Sequence, residues 1–143
     1  MKSIALSFFS LFILSSFEVA QACSCQEWGS AAETLEKADA AFLGIPSNTT
    51  AHVPGVRWSN AKTEFTVVRN FKGTLEKKLE LFTPWLGEGG GANCGAGWEK
   101  DDGQYLILAY QEDGKWHSSS CSFMSAEGPE MMKFIRELAE LAR

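Results

Sequence analysis

The residues best suited to do chemistry are four cysteines, at positions 23, 25, 94 and 121. The first two form the triplet Cys23-Ser24-Cys25, a spacing found in disulfide anchors, metal sites and redox pairs. A redox pair usually lies on a structured turn near a helix N-terminus that lowers one thiol pKa, whereas this triplet follows an apolar N-terminal stretch and has two further cysteines available to bridge it. A Cys23–Cys25 bond would close a very small strained ring. We therefore expect both cysteines to form disulfides with Cys94 and Cys121, in one of two arrangements.

Other reactive residue types lack the partners that catalysis or metal binding requires. His52 and His117 have no second ligand at a regular spacing, which favours ordinary surface or strand histidines. The serines near Cys121 are not set in a Gly-x-Ser-x-Gly motif. The glycine-rich stretch 84–97 lacks the Gly-Lys-Ser/Thr ending of a phosphate-binding loop. We predict that the protein is not an enzyme and has no cofactor of its own.

The N-terminus has the pattern of an export signal. Lys2 precedes an apolar run, and Ala20-Gln21-Ala22 fits the small-x-small rule for signal cleavage. The pattern predicts a signal peptide over residues 1–22 and a mature chain that begins at Cys23, secreted into the periplasm or the extracellular space. Acylation of Cys23, as in a lipoprotein, is the alternative, although Ala20 and Gln21 depart from the usual lipobox.

Residues 23–143 are enough for one domain with one core. The net charge is −5 and the isoelectric point is about 5.0, with no basic stripe along the chain. Such a charge argues against nucleic acid or an anionic lipid surface as the partner. No segment of the mature chain is long and apolar enough to be transmembrane. We expect a monomer.

Hydrophobic patterns and turn residues predict five strands between two helices. Ser30 and Glu33 form a capping box that begins a short helix over 31–38. Pro129 suits the first turn of a C-terminal helix, whose apolar face would contain Phe134, Ile135, Leu138 and Leu141. Alternation and apolar runs predict strands at 39–45, 62–71, 78–83, 104–110 and 115–120.

The predicted strands follow each other in hairpin-like order. The segment 112–114 is a hairpin turn, whereas 46–60 and 84–97 are predicted loops. Five antiparallel strands with long loops favour a small closed barrel of the OB type, because closure removes exposed strand edges. We predict an all-β fold, a five-stranded OB-fold barrel with a short N-terminal helix and a C-terminal helix. A flat α+β sheet is the alternative.

A series of short motifs in this order resembles a known family. The motifs are Cys23-Ser24-Cys25, Ala38-Asp39-Ala40, Phe71-Lys72-Gly73, Cys94-Gly95, Tyr105-Leu106-Ile107, Asp113-Gly114-Lys115 with His117, and Cys121-Ser122-Phe123. Their order and spacing resemble the N-terminal domain of the tissue inhibitors of metalloproteinases, within the netrin-like group. The resemblance covers nearly all of the chain after the signal peptide. It implies an OB barrel and the disulfides Cys23–Cys94 and Cys25–Cys121.

The resemblance also implies a partner and a mode of binding. In the animal inhibitors the mature N-terminal cysteine chelates the catalytic zinc of a metalloprotease through its α-amino nitrogen and its carbonyl oxygen. Here that residue is Cys23, and Ser24 would point into the specificity pocket. The other residues expected to contact the protease are Cys25, Gln26, Ala92, Asn93 and Cys94. The zinc would belong to the protease.

The chain also departs from the animal inhibitors. They have a third disulfide in this domain and a second cysteine-rich domain, whereas this chain has four cysteines in all. Gln26, Glu27 and Trp28 follow Cys25, where the animal inhibitors tend to have proline. These differences support an alternative hypothesis, a non-inhibitory netrin-like interaction module outside the cytoplasm, with or without a lipid anchor.

Overall fold

The computed structural model describes residues 25, 27–51, 61–83 and 103–143. Two helices and six strands form within these ranges. In chain order they are α1 (Ala31–Lys37), β1 (Ala40–Ala51), β2 (Ala61–Lys72), β3 (Lys78–Thr83), β4 (Tyr105–Glu112), β5 (Lys115–His117), β6 (Phe123–Ser125) and α2 (Pro129–Leu141).

Five of the strands close into a barrel. Their order is β1-β2-β3-β5-β4, and β1 pairs again with β4 to complete the ring. The β3–β5 contact is parallel and the other four contacts of the ring are antiparallel. Because each barrel strand has a neighbour on both sides, closure leaves little exposed strand edge. The predicted five-stranded barrel with a helix at each end is confirmed, and the flat α+β sheet is wrong.

The first strand is longer than its sequence pattern indicates. It runs to Ala51, so the first six residues of the predicted loop 46–60 belong to β1. Beyond Gly44, this strand leaves β4 and pairs only with β2, with a register shift between Pro46 and Asn48. Proline is tolerated there, because a strand paired on one side can lack a backbone donor. Polar residues are likewise tolerated, because Ser47–Thr50 are exposed.

Two further strand predictions need correction at the C-terminal end of the barrel. The strand predicted over 115–120 ends at His117, because the chain then turns, with the Ser122 amide donating to the Ser119 carbonyl at 3.0 Å. The chain next forms β6, which was not predicted and pairs antiparallel with β4. The predicted hairpin turn between β4 and β5 is confirmed. Asp113 and Gly114 both have positive φ, 51° and 73°, as that type of turn requires.

The apolar side chains form two cores on opposite sides of the sheet. The barrel core contains Phe42, Phe65, Leu81 and Ile107, and the helix-side core contains Leu43, Phe71, Leu106 and Leu138. Residues Ala40 to Leu43 alternate between the two, so both faces are buried at the start of β1. This explains why the start of β1 is a continuous apolar run.

Gly44 lies where β1 bends from one neighbour to the next. A register shift between Leu43 and Gly44 marks the bend, and Gly44 is the last β1 residue paired with β4. A Cβ atom at this position would lie 2.9 Å from a ring carbon of Phe42 and 3.0 Å from a ring carbon of Phe65. These two rings pack edge to face, with centroids 6.2 Å apart. Glycine is therefore needed because the aromatic core leaves no room for a side chain.

Both helices begin as the sequence predicts. In α1 the Ser30 hydroxyl accepts from the Glu33 amide, and the Glu33 carboxylate accepts from the Ser30 amide, which is the predicted capping box. Helix α2 starts at Pro129, and its residues Ile135 and Leu138 are buried as predicted. Leu141 is 55% exposed, so its assignment to the apolar face is wrong. It lies in the last turn of α2, beyond the part of the helix that packs on the barrel.

Within the described residues, no helix is long and apolar enough to cross a membrane.

Candidate functional site

Only one of the predicted protease-contacting residues, Cys25, lies within the part of the chain that the structure describes. The others lie outside the described residues; they are Cys23, Ser24, Gln26, Ala92, Asn93 and Cys94. The Cys23–Cys94 disulfide and the zinc-chelating role of Cys23 therefore remain predictions. His52 also lies outside the described residues.

Cys25 is bonded to Cys121, as the resemblance predicted. The S–S distance is 2.00 Å, the Cα atoms are 5.2 Å apart, and the two residues are separated by 96 positions. Cys25 is exposed and Cys121 is half-buried, so the bond lies at the surface of the barrel. A residue two positions before Cys25 can lie at most about 7 Å from it along an extended chain. The disulfide therefore anchors the chain two positions after Cys23.

Trp28 contacts the barrel and α2, and so restrains the same segment at a second position. Its indole Nε1 donates a hydrogen bond to the Cys121 carbonyl oxygen at 2.7 Å. Its ring packs against Phe134 of α2, with centroids 6.0 Å apart and planes inclined by 51°. Cys25 is therefore held by a covalent bond, and Trp28 by a hydrogen bond and a half-buried aromatic contact.

The turn that carries Cys121 is bonded to β4. The Leu108 amide donates to the Ser122 carbonyl at 2.7 Å, and the Ser118 hydroxyl donates to the Leu108 carbonyl at 2.9 Å. The hydroxyls of Ser119 and Ser122 are hydrogen-bonded to each other at 2.6 Å. These serines hold the turn in place, so the disulfide joins the N-terminal segment to a rigid part of the barrel.

A groove of about 240 Å³ lies beside this disulfide. Four stretches of the chain form its walls: 27–29, the second half of α1, the second half of β4, and 121–122. The side chains that give it chemical character are Glu27, Trp28, Thr34, Lys37, Leu108 and Tyr110. No sequence motif identifies these residues, because they come from separate stretches of the chain that only the fold brings together.

Aromatic packing sets the properties of the groove rim at Tyr110. Its ring stacks on His117 with centroids 5.9 Å apart, and His117 also packs against Phe82 with centroids 5.5 Å apart. Partial burial, and then the nearby Glu112 carboxylate, raise the pKa of the Tyr110 phenol above its ordinary value. The phenol is therefore neutral at physiological pH and can donate a hydrogen bond.

No cluster of three or more His, Cys, Asp or Glu side chains within the described ranges could hold a metal ion. His117 is buried at the end of β5 among aromatic rings. It therefore lies in a strand, one of the two ordinary positions predicted for it. The prediction that the protein has no cofactor of its own is not tested by these observations.

The sequence matches no model of a known protein family, and it matches no curated protein. The function therefore has to be inferred from the geometry around the Cys25–Cys121 disulfide.

Proposed function

We propose that the protein is a secreted inhibitor of zinc metalloproteases whose mature N-terminus begins at Cys23. The α-amino nitrogen and the carbonyl oxygen of Cys23 would chelate the catalytic zinc of the protease. Ser24 would enter the specificity pocket, and Gln26, Ala92 and Asn93 would contact the cleft around it.

The observation that supports this proposal most directly is the Cys25–Cys121 disulfide. It anchors the chain two positions after the proposed zinc ligand, and the Trp28–Cys121 hydrogen bond restrains the segment that follows. A free N-terminus would lose conformational entropy on binding, and that loss would weaken the complex. An N-terminus anchored two positions after its zinc ligand would lose less of that freedom when it meets the protease.

The chemistry of an α-amine suits the proposed role. Its pKa is about 8 in the absence of a metal, so a fraction is neutral at physiological pH. Zinc binds the neutral form and shifts the equilibrium further towards it. Catalytic zinc sites keep one open position for the attacking water. An amine and a carbonyl in that position displace the water, and the protease loses its nucleophile.

The proposal requires a free amine on Cys23, which gives a direct experiment. The chain 23–143 and the same chain with one alanine added before Cys23 should be compared for inhibition of a panel of zinc proteases. We expect inhibition by the first protein and none by the second. The matched control adds the alanine after Arg143. Equal inhibition by the two N-terminal forms would exclude chelation by Cys23.

The second candidate is a non-inhibitory interaction module, and the position of Glu27 favours it. This exposed carboxylate lies two positions after Cys25, where it would place a negative charge in the protease cleft.

The intact mass of the exported protein, measured with and without reduction, distinguishes the inhibitor from a lipid-anchored module. It reports the cleavage site, the number of disulfides and any acyl chain on Cys23. An N-acylated Cys23 would exclude the inhibitor and favour an anchored module.

A further inference from the structure

The groove beside the disulfide adjoins the proposed inhibitory segment. Cys121 forms part of its wall and is bonded to Cys25, and Glu27 lines it two positions further along the chain. A protease seated on residues 23–26 would therefore extend over this groove or close to its rim. The following inference rests on the proposed function, because it concerns the same protease.

The size of the groove decides which kind of ligand it can take. Its volume of about 240 Å³ is below the range of roughly 300–1,000 Å³ that is typical of pockets for drug-sized ligands and cofactors. Ala38, a small residue in the wall, contributes only a methyl group to this space. A single large side chain is a better match for the volume than a nucleotide or another cofactor.

The lining decides the chemistry of that side chain. Trp28 and Leu108 supply an apolar surface, whereas Thr34 and Tyr110 supply hydroxyl groups. Glu27 and Lys37 have opposite charges, so the groove favours neither a cation nor an anion as its occupant. A neutral ring with a polar tip can use both the apolar surface and the hydroxyl groups.

We propose that the groove receives one side chain from the rim of the bound protease, a phenol ring of the tyrosine type. The ring would pack against Trp28 and Leu108, and its hydroxyl would exchange hydrogen bonds with Thr34 or Tyr110. The groove is then a second contact that determines which zinc proteases are inhibited well, in addition to the zinc-chelating N-terminus.

The first experiment tests the groove without a protease. Addition of p-cresol, a phenol the size of a tyrosine side chain, to the ¹⁵N-labelled chain 23–143 should produce a saturable shift of the Trp28 indole N–H signal. Ala38→Met, which adds a longer side chain to the groove wall, should reduce that shift. Ala32→Met makes the same change on an exposed part of α1 and should not. The absence of a saturable shift in the wild-type protein would overturn the inference.

The second experiment measures inhibition constants against a protease that the wild-type protein inhibits. Tyr110→Ser removes a rim residue that is 43% exposed, and Val68→Ser removes an exposed strand residue, 49% exposed, away from the groove. We expect Tyr110→Ser to raise the inhibition constant about tenfold, because the variant loses both the ring and the hydroxyl that would contact the inserted phenol. We expect Val68→Ser to leave it within about twofold. Because both side chains are exposed, neither change should prevent folding.

The outcomes separate the two proposals. Strong inhibition that is unaffected by Ala38→Met and Tyr110→Ser would overturn the groove contact and leave the inhibitory function intact. A wild-type protein that inhibits no zinc protease would overturn both, because the proposed occupant of the groove belongs to the protease.

Discussion

The indole nitrogen of Trp28 donates a hydrogen bond to the carbonyl oxygen of Cys121, the residue whose sulfur is bonded to Cys25. Cys121 therefore holds the N-terminal segment at two residues, Cys25 and Trp28, which are three positions apart. The same tryptophan packs on Phe134, which connects the segment to the C-terminal helix as well. The positions of Cys25 and Trp28 thus depend on contacts with distant parts of the chain.

Trp28→Phe tests the hydrogen bond separately from the aromatic contact. The substitution keeps a ring against Phe134 but removes the N–H donor, so the half-buried Cys121 carbonyl loses its partner. We expect the free energy of unfolding to fall by about 1 kcal/mol, measured by urea denaturation with an unchanged m-value. Trp116→Phe makes the same change at another half-buried tryptophan, in β5. Equal losses in the two variants would show that ring size, and not the hydrogen bond, sets the stability.

The double substitution Cys25→Ser and Cys121→Ser tests the covalent anchor. The disulfide joins residues 96 positions apart, so it removes considerable entropy from the unfolded chain. We expect its loss to lower the free energy of unfolding by about 2–4 kcal/mol, with the native barrel retained by circular dichroism. Inhibition should fall more than the folded fraction does, because the N-terminus also becomes mobile. Full inhibition by the folded double variant would contradict the proposed role of this anchor.

The parts of the fold that the sequence predicts are those specified by neighbouring residues. The capping box at Ser30 and Glu33, the turn at Asp113-Gly114 and the start of α2 at Pro129 each depend on a few adjacent side chains. The Cys25–Cys121 bond could be anticipated only through the resemblance, since the spacing of the cysteines leaves two arrangements possible.

The remaining features depend on contacts between distant parts of the chain. The outer half of β1 has exposed polar residues and no apolar pattern, and only its pairing with β2 makes it a strand. The parallel contact of β3 with β5 involves two residue pairs, too few to leave a pattern. The groove has no motif, because Trp28, Lys37 and Tyr110 meet only when α1 packs beside β4.

Gly44→Ala tests the tight packing at the bend of β1. The added methyl group would lie 2.9 Å from Phe42 and 3.0 Å from Phe65, so these buried rings would have to move. We expect a loss of about 1–3 kcal/mol in the free energy of unfolding, measured by thermal or urea denaturation. Gly114→Asn serves as the control, because no atom lies within 4 Å of the added Cβ and asparagine tolerates the positive φ of this turn. If Gly44→Ala lowers the free energy of unfolding less than the control does, the Phe42 and Phe65 rings accommodate the methyl group without strain.

Glu33→Gln tests the contribution of the capping box to acid stability. Hydrogen bonds from the Ser30 amide and hydroxyl, with a smaller effect of Lys37, hold the pKa of the Glu33 carboxyl below its ordinary value. A carboxyl whose pKa is lower in the folded state stabilises the protein above its unfolded-state pKa of about 4.3. That contribution is lost as the pH falls through the lower, folded-state pKa. The wild-type protein should therefore exceed Glu33→Gln in stability at pH 7, and the difference should shrink below about pH 4.

Urea denaturation from pH 7 to pH 3 measures this difference in the free energy of unfolding. The control is Glu36→Gln, which removes a carboxylate from the same helix without altering the capping box. A difference between wild type and Glu33→Gln that stays constant over this range would mean that the ionised carboxylate is not what caps α1.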